Sequence, residues 1–203
     1  MNLLTDGPDG GVPALVLAHG AGAGMDSPFM VQFAGLVAAE GIRVVRFEFP
    51  YMAARRTGSR RPPDREPVLR RTWLEVIEAL GGGTNVIIGG KSMGGRFASI
   101  VADEAGVRGL VCLGYPFHPT GTPANLRTAH LEGLRTPSLF VQGERDPFGA
   151  RAEVQGYALS PAIRIEWLGD GDHSFKPRKA SGLTYEGHLR TAVAEVAAFV
   201  RAH

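Results

Sequence analysis

The sequence contains a single cysteine, Cys112, among its 203 residues, so an internal disulfide is excluded. This is typical of proteins that fold in a reducing compartment. Residues 1–7 lack a basic start and a long apolar stretch, and no run approaches the roughly 18 apolar residues of a membrane span. We therefore expect no signal peptide, no membrane partner and a cytoplasmic location.

The chain also lacks a large excess of charge of either sign. Its 22 Lys and Arg residues stand against 20 Asp and Glu residues, which gives a net charge of +2. Bulk charge therefore does not make the molecule a polyanion binder. The composition, 44% hydrophobic and 21% charged, is that of a soluble globular protein. Because no linker-like stretch divides it, we expect one domain over residues 1–203.

Short apolar runs alternate along the chain with segments of helical periodicity. Parallel strands that are covered on both faces read as continuous apolar runs. The alternation therefore predicts an α/β fold with a mostly parallel sheet of about six to seven strands and helices on both faces. The predicted strands are residues 14–18, 44–47, 86–88, 110–113, 138–141 and 163–167, the predicted helices residues 29–39, 68–80, 94–105 and 187–202, and the predicted loops residues 50–67 and 115–123.

Ser92 follows one of these predicted strands, and ligands of such sheets bind beyond the carboxyl ends of the strands. It is the centre of the pattern G-x-S-x-G, between a strand and a helix, which is the context of a nucleophile elbow. Side chains at positions 90 and 94 would clash in so sharp a turn, which explains glycine there. A phosphate-binding turn is the alternative, but Val86 stands where a P-loop needs glycine. We predict that Ser92 is an activated nucleophile.

A serine nucleophile needs a base, and the base needs an orienting acid. His173, in a polar loop after the last predicted strand, is the predicted base, and His118 is its best rival. Asp146, which follows residues 138–141, is the predicted acid; because Pro147 comes next, a helix N-cap is its alternative role. The weaker candidates for the acid are Asp170, Asp172 and Glu144.

The backbone N–H groups of Met93 and Ala21 are the predicted oxyanion donors. Ala21 lies in a loop of small residues, 20–24, which lets the backbone approach a ligand closely. His19 precedes this loop, and we expect it to hold the loop in place rather than act as a base.

These stretches together resemble the α/β-hydrolase superfamily near its dienelactone-hydrolase-like branch. They are most similar to a small hydrolase-like group that includes a testis-expressed protein and a subunit of a chromatin acetyltransferase complex. The resemblance implies the α/β-hydrolase fold and a triad of Ser92, Asp146 and His173. Dienelactone hydrolases use a cysteine nucleophile, so their substrate does not carry over. The resemblance covers almost the whole chain and rests on residues 17–22, 89–95, 140–149 and 171–179.

Two departures from the superfamily pattern are visible. The segment before residue 14 is short, so the early antiparallel strands should be missing or reduced. The insertion after residues 110–113 is also short, so no substantial cap domain is expected, and the site should be open.

Basic residues cluster in the loop after residue 47 and next to Ser92 and His173. We hypothesise an electropositive rim that steers an anionic acyl or phosphorylated substrate. A solvated loop, partly neutralised by nearby carboxylates, is the alternative. Nucleic acid is not an expected partner, because no aromatic interleaving accompanies the arginines. The rim residues are Arg55, Arg56, Arg60, Arg61, Arg65, Arg70, Arg71, Lys91, Lys176, Arg178 and Lys179, and the further substrate-binding candidates are Tyr115, Phe117, His118 and Phe148.

The sequence thus predicts a serine hydrolase that acts on a small-molecule carboxylic ester or thioester, with no cofactor and no metal. The same triad would serve an acyltransferase or a peptidase. A non-catalytic interaction module that keeps the hydrolase fold is the alternative from a different functional class.

Overall fold

The apolar runs of the sequence form one seven-stranded sheet in the computed structural model, which describes residues 2–58 and 60–203. The strands are β1 (Leu3–Asp6), β2 (Ala14–Ala18), β3 (Val44–Phe47), β4 (Val86–Lys91), β5 (Gly109–Leu113), β6 (Ser138–Gly143) and β7 (Ile163–Leu168), and the helices are α1 (Pro28–Ala39), α2 (Pro50–Arg55), α3 (Glu66–Ala79), α4 (Met93–Ala105), α5 (Arg151–Val154) and α6 (Tyr185–Ala202). Their order across the sheet is β1-β3-β2-β4-β5-β6-β7, and every neighbouring pair is parallel except β1 with β3.

Helices cover both faces of the sheet, so its central strands are wholly buried. Successive side chains of a strand point to opposite faces. In β2, Leu15 accordingly packs with the cluster formed by α1 and α6, whereas Val16 packs with the cluster formed by α3 and α4. The predicted fold class is confirmed. None of the helices in the described part of the chain has the length and apolar character to span a bilayer.

The expected reduction of the early antiparallel strands is observed, since β1 alone precedes β2 and pairs antiparallel with β3. The connection from β5 to β6 holds only a 3-10 turn, Ala129–Leu131, and forms no cap domain. The prediction of a continuous loop over residues 50–67 is wrong at both ends, because α2 begins at Pro50 and α3 begins at Glu66. Pro50 begins α2, where its fixed φ suits the first helical turn and Tyr51 is buried.

The carboxyl ends of four parallel strands bring the predicted site residues to one edge of the sheet. Ala21 follows β2, Ser92 follows β4, Asp146 follows β6 and His173 follows β7. Residues distant in sequence therefore share one edge, as expected for ligand sites of parallel sheets.

The turn at Ser92 places α4 against the sheet with almost no space between their backbones. A Cβ atom on Gly90 would lie 2.2 Å from the Ala18 carbonyl oxygen, and one on Gly94 would lie 2.4 Å from the same atom. Real carbon–oxygen contacts are far longer, so only glycine fits at these two positions. The expected clash of side chains at positions 90 and 94 is confirmed.

Two helical glycines give a matched test of this close approach. Gly94→Ala should lower the free energy of unfolding by about 3 kcal/mol, because its methyl group would push α4 off the β2 backbone. Gly35→Ala, on an exposed face of α1 with open space around it, should raise it by about 0.5–1 kcal/mol. Urea denaturation followed by tryptophan fluorescence measures both. Equal stabilisation by the two substitutions would contradict the described packing.

Candidate active site

Ser92 occupies the turn between β4 and α4 with a backbone that L-amino acids rarely adopt, φ 51° and ψ −114°. Its N–H donates to the Leu113 carbonyl at 3.0 Å, and its own carbonyl accepts from the Arg96 N–H at 3.0 Å. The first bond ties the turn to β5 and the second begins α4. Such a conformation persists only where its surroundings fix it, and it occurs preferentially at functional sites.

His173 is hydrogen-bonded to Asp146, and the imidazole Nδ1 lies 2.7 Å from the carboxylate Oδ2. The Asp146 side chain is wholly buried and its Oδ1 accepts the Phe148 N–H at 2.9 Å. A carboxylate accepts only, so Nδ1 carries a proton, and the neutral tautomer of the ring has its lone pair on Nε2. His173 and Ser92 line the same cleft, so the oriented imidazole and the strained serine belong to one site.

The rival acids are committed to other groups. Arg178 donates to the Asp170 carboxylate and lowers its pKa to about 2. The Asp172 carboxylate accepts backbone N–H groups of its own loop, and Glu144 is hydrogen-bonded to Arg151. Of the four candidates, Asp146 is the one whose carboxylate is hydrogen-bonded to His173.

The alternative roles considered for Asp146 and His118 do not match the structure. Asp146 does not begin a helix, because its carboxylate bonds the backbone two residues on in an Asx turn and α5 starts only at Arg151. His118 is buried, and its ring bonds the Pro119 carbonyl and the Glu153 carboxylate. It does not line either cleft next to Ser92.

The loop after β2 is held by two buried side chains. The Phe49 N–H donates to His19 Nε2 at 3.1 Å, so His19 Nδ1 carries the proton and donates to the Gly20 carbonyl at 2.7 Å. Burial lowers the pKa of His19, which keeps the ring neutral. The Tyr51 hydroxyl donates to the Ala21 carbonyl at 3.0 Å. These contacts fit the structural role expected of His19 and fix the loop that contains a predicted oxyanion donor.

Ser92 lies between two clefts. The larger, about 690 Å³, is formed mainly by the β2–α1 loop, the start of α1 and the loop after β7, and it includes Lys176 at its rim. The smaller, about 330 Å³, lies on the Met93 side. Ala21, Ser92 and Phe148 line both, and the Phe148 ring packs on His173 with centroids 4.4 Å apart.

Tyr115 and Phe117, which the sequence placed among the substrate-binding candidates, are fully buried instead. Tyr115 stacks on Phe140 at 5.0 Å between centroids, and its hydroxyl donates to the Arg127 carbonyl. Neither ring lines a cleft next to Ser92, so both belong to the core. The predicted substrate-binding role of Tyr115, Phe117 and His118 is therefore corrected. Phe148 is the one of these four candidates that lines the clefts next to Ser92.

Five of the eleven predicted rim residues form internal contacts, whereas Lys91 and Lys176 line the larger cleft. Arg56 pairs with Glu48 and Asp26, and Arg55 packs on the Tyr51 ring and donates to the Arg61 carbonyl. Neither arginine lines either cleft. The further ion pairs of this set are Arg70 with Glu104, Arg71 with Glu75 and Arg178 with Asp170.

Gln142 is a supporting residue to which sequence reasoning assigned no role. It is buried at the end of β6, where its amide nitrogen donates to Asp146 Oδ2 at 3.0 Å and its amide oxygen accepts the Tyr115 N–H at 2.7 Å. The amide therefore holds the same carboxylate oxygen, Asp146 Oδ2, that is hydrogen-bonded to His173. The available signal was a glutamine at the end of an apolar strand, four residues before the acid.

Lys91 directly precedes Ser92, and its ammonium is buried without a hydrogen-bond partner among the described residues. The rings of Phe29 and Phe175 each lie 5.9 Å from Nζ. Burial lowers the pKa of Lys91 to about 8, against a smaller opposing effect of Asp146 and Asp172. Near neutral pH, the site thus holds a cation whose desolvation is not offset by a direct bond.

Replacing this cation should stabilise the fold in a pH-dependent way. In the unfolded chain Lys91 has a pKa near 10.5, so between pH 8 and pH 10.5 the unfolded chain binds more protons than the folded chain. Over this range the folded wild type loses the buried charge of Lys91, and its free energy of unfolding rises with pH. Lys91→Met should be more stable than wild type by roughly 2–3 kcal/mol at pH 7, and the difference should shrink by pH 10. Denaturant melts at both pH values test this, with the exposed Lys179→Met as control; a pH-independent difference would refute it.

Within the described ranges, no group of three or more His, Cys, Asp or Glu side chains is placed to hold a metal ion. The site at Ser92 combines a strained serine, an oriented imidazole and a buried carboxylate.

Comparison with known proteins agrees with this fold. Dienelactone hydrolase from Anabaena variabilis is 18% identical, with a TM-score of 0.74 over 99% of this chain and 91% of that one. Est1E from Butyrivibrio proteoclasticus, solved with ferulic acid, is 13% identical, with a TM-score of 0.73 over 99% and 94%. The esterase domain of a Rhodothermus marinus protein is 14% identical, with a TM-score of 0.68 over 99% of both chains. Residues 12–201 match the alpha/beta hydrolase domain family, to which this chain therefore belongs.

Proposed function

We propose that the protein is a serine hydrolase that cleaves a carboxylic ester or thioester through Ser92, His173 and Asp146. The observation that carries the proposal is the hydrogen bond from His173 Nδ1 to the buried Asp146 carboxylate, because it favours the neutral tautomer with its lone pair on Nε2, in a ring that lines the same cleft as Ser92. An imidazole oriented in this way is the base that a serine hydroxyl requires.

In the proposed reaction, Ser92 Oγ attacks the substrate carbonyl carbon and its proton passes to His173 Nε2. The carbonyl π electrons move to oxygen, and the N–H groups of Met93 and Ala21 hold that oxyanion, each contributing about 3 kcal/mol to the barrier reduction. The intermediate collapses, the bond to the alcohol or thiol breaks, and the leaving group takes the proton from His173. Water then attacks the acyl-serine with His173 as base, which releases the acid and restores Ser92.

The surroundings of Ser92 support hydrolysis over acyl transfer. The β5–β6 connection provides no cap, so water reaches the acyl-serine freely. The buried carboxylate argues against a module without catalysis, because burying an ionised group is costly and a binding scaffold gains nothing from it. A single domain over residues 1–203, a cytoplasmic location and membership in the small hydrolase-like group are part of the same proposal.

Removal of the nucleophile tests the proposal directly. Ser92→Ala should abolish both labelling by a fluorophosphonate probe and hydrolysis of a panel of p-nitrophenyl esters. Ser181→Ala, in an exposed 3-10 turn away from the clefts, should keep both. Absence of labelling in folded wild-type protein would remove the hydrolase assignment.

The acid makes a second, graded prediction. Asp146→Asn should lower kcat by about 10³–10⁴-fold, because an amide neither fixes the tautomer of His173 nor stabilises the imidazolium. KM should change little, since Asp146 lies behind the imidazole. Steady-state kinetics measures both constants, and circular dichroism checks that the variant folds. A loss confined to KM would contradict the assigned role.

A further inference from the structure

Two guanidinium groups line the smaller cleft next to Ser92. Arg96 lies on the first turn of α4, four residues after the serine, and Arg127 lies on the β5–β6 connection. Arg96 Nε is buried without a hydrogen-bond partner in the described residues, and its guanidinium lies 4.7 Å above the Phe97 ring. The two arginines are close enough for the charge of Arg96 to lower the pKa of Arg127, after the larger effect of burial.

The position of Arg127 is fixed by its backbone. Its N–H donates to the Phe117 carbonyl at 2.7 Å, and its carbonyl accepts the Tyr115 hydroxyl at 2.9 Å. Both partners are wholly buried aromatic residues. The connection therefore presents the Arg127 side chain to the cleft from a rigid support, as a binding residue requires.

The counter-charges around this pair are few. Glu66 lies 4.0 Å from Arg96, at the limit of an ion pair, and Asp64, which lines the same cleft, accepts the Tyr51 N–H with its carboxylate. His130 bonds the Ser99 hydroxyl, and burial followed by the charge of Arg96 lowers its pKa, so it is neutral. The Arg127 guanidinium forms no ion pair within the described ranges. Two adjacent, partly desolvated cations are costly unless an anion joins them.

We propose that this cleft binds the free carboxylate of the substrate, between the guanidiniums of Arg96 and Arg127. The planar fork of arginine matches a carboxylate, and two forks grip it from two sides. The cleft walls between Ser92 and the arginines are mainly apolar, with Leu69 and Phe97 among them, which suits a short methylene chain. The substrate class is therefore a monoester or monothioester of a short dicarboxylic acid. This inference rests on the proposed function.

A matched pair of esters tests the proposal. Mono-p-nitrophenyl adipate and p-nitrophenyl hexanoate share a six-carbon acyl chain and differ in the terminal carboxylate. Wild type should hydrolyse the adipate ester with a kcat/KM about 10-fold or more above that of the hexanoate ester. Arg96→Gln and Arg127→Gln should each lower the adipate value by about 10–100-fold, and by at least about 10-fold more than they lower the hexanoate value, so that the adipate preference is lost.

The control variant is Arg135→Gln, which removes the same charge from an exposed position at the opposite edge of the sheet, before β6. It should leave both rates unchanged. Equal wild-type rates for the two esters, or an adipate preference that survives both arginine substitutions, would overturn the inference. A rise in salt should reduce the adipate preference, because ions screen the guanidinium charges.

A binding measurement separates this inference from the proposed function. Adipate should bind to Ser92→Ala in calorimetry, and binding should be lost in the double variant with Arg127→Gln. Arg-dependent adipate binding without ester turnover or Ser92 labelling would refute the hydrolase and keep the carboxylate site. Ester turnover with no preference and no adipate binding would refute the site and keep the hydrolase.

Discussion

The close approach of α4 to the sheet is the constraint on which the site depends. Gly90 and Gly94 allow the backbones of β4 and α4 to meet the Ala18 carbonyl of β2, where any Cβ would collide. Because no side chain separates the elements, the turn between them is sharp, and Ser92 is held at positive φ. The same contact sets the first turn of α4 beside the β2 loop, so the position of the nucleophile and the positions of both predicted oxyanion donors follow from one packing arrangement.

The site also depends on how its buried charged groups are paired, because a buried ion is costly without hydrogen-bond partners. Asp146 has three, the His173 imidazole, the Phe148 N–H and the Gln142 amide, and these make its complete burial tolerable. Lys91 has none, and its pKa falls to about 8. Asp146 is thus buried among hydrogen-bond donors, whereas the Lys91 ammonium is buried without a partner among the described residues and its charged form is disfavoured.

The positions of the six parallel strands and the need for glycine at 90 and 94 were predictable, because each leaves a local pattern, whereas the antiparallel strand β1 was not predicted. An apolar run predicts a buried strand wherever it packs, and a residue after such a run must lie at the sheet edge. The short helix α2 was missed because residues 50–55 were grouped with the Pro- and Arg-rich stretch that follows them, although Pro50 suits the first turn of a helix and Tyr51 is buried. Gln142 was missed because its role depends on where the next loop folds back.

The arginines show where local pattern and tertiary structure diverge most. The arginines that follow residue 47 are close together in sequence and suggested an electropositive rim. In the folded chain acidic side chains lie near them, and Arg56 is paired with Glu48 and Asp26. Arg96 and Arg127 are isolated in sequence and carry no such pattern, yet the fold brings them together in a cleft beside Ser92. Only the folded chain shows which charges lie beside a cleft without a close counter-charge. The inferred selectivity for a carboxylate therefore comes from two residues that no sequence window contains together.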